Sequence, residues 1–103
     1  MMRIRYHVEA EAEMAHAASY YEAQRKDLGK RFLAEVQDAL NRIRINPLLY
    51  PTVDGDVRRA RTRTFPYGIL FRVMRDQLVI VAVMHLHRDP DYWKGRVRDT
   101  SDD

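Results

Sequence analysis

Six arginines and no acid stand between Val57 and Arg75 (Arg58, Arg59, Arg61, Arg63, Arg72 and Arg75), and His85, His87 and Arg88 follow. Guanidinium groups grip phosphates through paired N–H donors, and a histidine beside them exchanges protons near neutral pH. In an extended strand alternate side chains share a face. Arg59, Arg61 and Arg63 therefore project together, as do Val81, Val83, His85 and His87. If the two strands are neighbours, as short connections favour, arginines and histidines converge on one concavity. That constellation suits phosphodiester chemistry on RNA, or docking to nucleic acid or an acidic protein. A solvated strand face explains the arginines equally well, and paired histidines at a strand end are more often structural.

Other chemistries lack their residues. There is no cysteine, which removes thiolate nucleophiles, thiolate zinc sites and disulfides. Ser19 and Ser101 are the only serines, one in a helical pattern and one in the tail, so serine hydrolysis has no nucleophile elbow. No glycine-rich phosphate cradle is present. His85 and His87 have metal-pair spacing, but Asp89 and Asp91 flank Pro90 and diverge from the strand. No metal and no cofactor is expected.

A chain of 103 residues makes one domain with one modest core. The longest apolar run, Leu78–Met84, is strand-sized, so no membrane span or signal peptide is read and the protein is expected in the cytoplasm. The net charge of +3 is unevenly spread: residues 39–98 carry twelve bases against five acids, whereas residues 9–38 carry seven acids against four bases. A one-sided basic field attracts polyanions and acidic partners.

The elements that must hold these groups follow from periodicity. Residues 3–8 alternate as a short strand. From Glu9 apolar residues recur at helical steps (Ala10, Met14, Ala17, Ala18, Tyr21, Leu28), with acids in the first turns where the helix dipole favours them. Asp27-Leu28-Gly29-Lys30 breaks this helix. A second helix carries Phe32, Val36, Ala39, Leu40 and Ile43 on one stripe and stops at Asn46-Pro47. Three strand-like runs follow, Val57–Thr64, Phe65–Met74 and Leu78–Leu86, the last two joined by a tight turn at Arg75-Asp76-Gln77. The last run is apolar on both faces, as in a doubly covered strand. The helical hairpin covers one face; no other element is read as covering the second, so either a partner or an exposed apolar patch is expected there. The fold class is α+β, β-α-α-β-β-β, a helical hairpin on one face of a small antiparallel sheet. Residues 1–98 form the domain, and the acidic tail 99–103 is expected to fray.

Residues 3–96 as a whole resemble the RelE/ParE superfamily of toxins from type II toxin–antitoxin systems. The resemblance is carried by Ala-Ala-Ser-Tyr-Tyr-Glu (17–22), Leu-Gly-Lys-Arg-Phe-Leu (28–33), and Asn46-Pro47 leading to Tyr50-Pro51. It continues through Arg58-Arg59-Ala60-Arg61 and Phe65-Pro66-Tyr67-Gly68-Ile69-Leu70-Phe71. Val83-Met84-His85-Leu86-His87-Arg88-Asp89-Pro90-Asp91-Tyr92-Trp93 closes it. The same β-α-α-β-β-β plan is implied.

The resemblance implies one of two activities. A RelE-like toxin cleaves mRNA in the ribosomal A site; Arg59, Arg61 and His87 would then be catalytic. Gly68 and Trp93 stand where that branch tends to place an arginine and a tyrosine. A ParE-like toxin poisons DNA gyrase and is not known for a nucleolytic constellation. Phe-Pro-Tyr and Asp-Pro-Asp-Tyr-Trp look more like this branch, and the reading leans to it and away from an enzyme. Arg58, Arg59, Arg61, Arg63, His85, His87, Arg88 and Trp93 are the expected target-binding residues. Either branch implies a cognate antitoxin as partner, with gyrase or the ribosome and its mRNA as target. An inactive relic or a general nucleic-acid-binding module is the non-toxin alternative.

Overall fold

The computed structural model describes residues 2–100. Strand β1 (Arg3–Tyr6) leads into helix α1 (Val8–Gln24), capped by the His7 ring, whose Nδ1 accepts from the Glu9 amide at 3.0 Å. Glu9 and Glu11 sit in the first turn, favourably placed against the helix dipole. Helix α2 (Leu28–Ile45) follows a tight turn in which Asp27 has φ 70°. The Glu22 carboxylate holds that turn by accepting from the amides of Asp27 (2.9 Å) and Gly29 (3.0 Å). At Gly29 the helices cross so closely that a Cβ would lie 2.4 Å from the Ala18 carbonyl oxygen. The predicted stripe of α2, Phe32, Val36, Ala39, Leu40 and Ile43, is fully buried.

After a short 3₁₀ turn at Pro47–Leu49 come strands β2 (Thr52–Asp54), β3 (Val57–Arg61), β4 (Tyr67–Met74) and β5 (Gln77–His85). They form one five-stranded sheet in the order β1-β5-β4-β3-β2. The α+β class and helical hairpin agree with the sequence reading. The sheet is mixed rather than antiparallel, because the hairpin returns the chain so that β1 lies parallel to β5. Strand β2 was not expected, since its three residues sit between Pro51 and Gly55 with no room for an alternating pattern. Strand β3 stops at Arg61, short of Thr64. There the Thr62 hydroxyl bonds the Phe65 carbonyl (2.6 Å), Arg63 turns to Asp38, and Glu35 takes Thr64 and Phe65.

Two apolar layers flank the sheet. The helix-side layer contains Ile69, Phe71, Leu78, Ile80 and Val83 against the helices. The second layer contains Val57, Leu70, Val81, Ala82, Met84 and Trp93, with Tyr92 and Val97 packed on it. The chain thus covers its own second face, and the expectation of either a partner or an exposed apolar patch there is corrected. The cover is a strap running from Tyr92 into a 3₁₀ helix at Lys94–Thr100. Trp93 is its main anchor, at 2% exposure. Arg72 donates to the Val97 carbonyl (3.2 Å) and the Thr100 hydroxyl (2.8 Å), Arg5 to the Thr100 carbonyl (3.2 Å), and His7 meets Asp99 at 3.0 Å. Asp99 and Thr100, assigned from sequence to a fraying tail, are therefore held, and Thr100 is buried. Residues 101–103 lie outside the described residues.

Candidate functional site

The arginines of β3 do not converge with His85, whereas Arg88 lines one cavity with it. Arg59 pairs with Leu70 and Arg61 with Gly68 across β3 and β4. Leu70 belongs to the second layer, and the space a Cβ on Gly68 would fill is bounded by the Arg59 side chain at 3.1 Å. His85 pairs with Tyr67, which belongs to the helix-side layer, their rings 5.2 Å apart. Arg59 and Arg61 thus lie on one face and His85 on the other. A bulge is responsible: Leu70 pairs with Ala82 but Phe71 with Ile80, leaving Val81 as an extra residue. Val81 and Val83, expected on one face, fall in opposite layers.

Several of the other arginines serve the fold. Arg58 donates to the Tyr50 carbonyl at 2.6 Å, Arg63 pairs with Asp38 at 3.0 Å, and Arg72 grips Asp56 through two nitrogens (2.9 and 3.1 Å). Arg61 is exposed and Arg59 half-buried, and neither makes an ion pair among the described residues. Trp93, expected to meet a target, is buried under the strap and offers no side-chain surface. His87 is exposed; its amide donates to the His85 Nδ1 (3.1 Å), and the two rings lie 5.2 Å apart. With Nδ1 accepting, the neutral His85 ring carries its proton on Nε2.

What gathers around His85 is a groove along α1. A cavity of about 390 Å³ is lined by Glu9, Glu13, His16, Tyr67, Val83, His85 and Arg88, with two alanines of α1. A second, of about 370 Å³, shares His16, Tyr67 and His85 and continues to Tyr20, Tyr21 and Gln24. From Glu9 to Gln24 the groove runs about 22 Å at the helical rise. It borders the part of β5 beyond Ile80, where pairing with β1 ends.

Glu13 organises the mouth of the groove. Its carboxylate accepts from the Val83 amide (3.0 Å), the Tyr92 hydroxyl (2.6 Å), Arg96 (2.9 and 3.0 Å) and Arg88 (3.3 Å). Arg88 also stacks over the Tyr92 ring, 3.6 Å from its centroid. Burial, and then the hydrogen bond to Glu13, push the Tyr92 hydroxyl far above its ordinary range. It stays a donor and is a poor proton source. Burial likewise raises Tyr67. The sequence reading did not place Glu13, His16, Tyr20 or Tyr67 among the candidate site residues. The available signal was the spacing of Glu13, His16 and Tyr20, which places them along one side of a helix. Among the described residues no three histidines or acids are grouped to hold a metal ion.

The fold is a small mixed sheet with a helical hairpin on one face, a strap on the other and an open groove beside α1. The family described as ParE toxin of type II toxin-antitoxin system, parDE, matches residues 4–90, and the chain belongs to that family as a type II toxin component. Eight chains of solved structures match. One is a chromosomal ParDE toxin–antitoxin system from P. aeruginosa, with TM-score 0.63 and 18% identity, covering 84% of this chain and 98% of that one. No curated protein matches. No helix among the described residues is long and apolar enough to cross a membrane.

Proposed function

We propose that this toxin arrests growth by binding DNA gyrase rather than by cutting RNA, and that a cognate antitoxin segment neutralises it. The observation that carries this reading is that Arg59 and Arg61 lie on the sheet face opposite His85, whose ring the His87 ring neighbours at 5.2 Å. A nucleolytic centre needs phosphate-gripping and proton-transferring groups within reach of one phosphate, and Tyr92 is tied to Glu13. What remains exposed is a basic patch suited to docking. The antitoxin segment lies along the α1 groove and wraps the open end of β5, its acidic side chains reaching the exposed arginines.

Purified gyrase with supercoiled plasmid tests the target: the toxin is expected to accumulate cleaved, protein-linked DNA. Growth arrest at doses that leave gyrase untouched, with mRNA cut at A-site codons, would overturn the reading in favour of ribosomal cleavage. Charge reversal by Arg59→Glu plus Arg61→Glu is expected to reduce toxicity at least tenfold while His87→Ala leaves it unchanged. Antitoxin affinity should weaken steeply with salt if acidic side chains meet these arginines.

A further inference from the structure

We propose that the hairpin end of the sheet carries a separate binding site, a pocket for a compact diphosphate anion formed by Arg3, Arg44 and Arg75. The cavity there measures about 720 Å³ and is lined by Met2, Arg3, Arg44, Val73, Arg75 and Asp76. Three arginines and one aspartate are among its lining residues, a local excess of two positive charges. The site lies at the far end of β4 and β5 from the α1 groove, since Met74 pairs with Gln77 here and Tyr67 with His85 there. It shares no residue with that groove or with the Arg59–Arg61 face.

One further feature points to a ligand. The Arg44 Nε is buried and has no hydrogen-bond partner. A buried charged donor left unsatisfied is costly, so the Arg44 side chain gains by shifting its guanidinium towards an anion in the cavity it lines. Arg75 occupies a two-residue hairpin loop with φ 55°, a conformation that favours glycine or asparagine over arginine. Arg75 has contacts of its own, and what it adds here is charge at the cavity mouth.

The shape decides the class of anion. The guanidiniums come from β1, the last turn of α2 and the hairpin loop, and they surround a concavity within the range of small-molecule sites. A nucleic-acid backbone asks for a row of cations along a track. Met2 and Val73 give one wall an apolar surface, which leaves room for an organic group beside the phosphates. The shared chemistry is a diphosphate, free or as part of a nucleoside diphosphate.

Calorimetric titration of the full chain at low salt with inorganic pyrophosphate, and separately with ADP, tests the site. Saturable one-to-one binding is expected, weakened about tenfold by Arg44→Gln, as fits loss of one charged hydrogen-bonding group. Arg31→Gln, on the exposed side of α2, should bind as the parent does. Tighter binding of ADP than of pyrophosphate would identify a nucleoside diphosphate as the occupant, and equal binding the bare diphosphate. If Arg44→Gln unfolds by circular dichroism, Arg3→Gln at an exposed position carries the test. The proposal falls if neither ligand saturates, or if Arg3→Gln and Arg44→Gln bind as tightly as the parent. It also falls if a single-stranded oligonucleotide binds more tightly than either ligand and is weakened by the same substitutions.

Discussion

At Glu13 one carboxylate meets donors from three parts of the chain: the Val83 amide on β5, Arg88 and Tyr92 after it, and Arg96 in the strap. Its side chain and that of Arg96 are each 13% exposed, so the pair is screened far less than a surface ion pair. Removing one partner of such a pair strands the other charge and leaves the Val83 amide unmatched. Glu13→Ala is expected to destabilise the fold by about 3 kcal/mol, read by urea unfolding. Glu13→Gln, which still accepts from Val83 and Tyr92, should cost clearly less. Equal losses for the two variants would show that the charge, and not the acceptor, matters. In the sequence Glu13 is one acid among several in the first turns of α1, where the dipole alone explains them. Its partners lie 70 to 83 residues away, and a single sequence holds no mark of such distant pairing.

At the scale of elements, the two helices were legible because a stripe repeated at helical spacing has one structural meaning. The strands were legible in number and place except for β2, which is too short to alternate. Two things were hidden. The bulge at Val81 sits in a run that is apolar on both faces, so shifting every side chain by one face leaves no polar residue out of place. The strap has no helical period, and Gly95 and the 3₁₀ geometry disguise it as a tail. The reading that Leu78–Met84 needs cover on both sides was sound; the cover came from Trp93 rather than from another chain. Trp93→Ala should therefore behave as a core truncation, costing about 3–5 kcal/mol and loosening the strap. Hydrogen exchange of the Val97 and Thr100 amides should rise with it. A variant as stable as the parent, but unable to bind its target, would return Trp93 to the interaction surface.

Across the whole molecule the acids and bases divide the labour between holding the fold and meeting partners. Glu22, Glu35 and Asp38 all lie on the helical hairpin and clamp neighbouring loops. Glu22 is held below the usual carboxylate range by the Asp27 amide first, and Asp38 by Arg42 first. For Glu35 the largest influence is burial, which raises it, but the hydrogen bonds from the Thr64 hydroxyl and amide and from the Phe65 amide together outweigh it and leave it lowered. A carboxylate lowered in the folded state stabilises above its unfolded value, about 3.9 to 4.3, and loses that contribution as pH falls through the folded value. The melting temperature should thus be level from pH 7 to about 5 and fall steeply below about 4.5. Glu35→Gln should flatten part of that fall. A melting temperature that held constant to pH 3 would show that these clamps contribute nothing to stability. The arginines of the exposed face keep their charge throughout this range. Acid should therefore leave partner binding level from pH 7 to about 5, where neither the hairpin clamps nor a partner's carboxylates titrate, and weaken it below about 4.5, where both do; binding already lost at pH 6 would place a histidine in the interface instead.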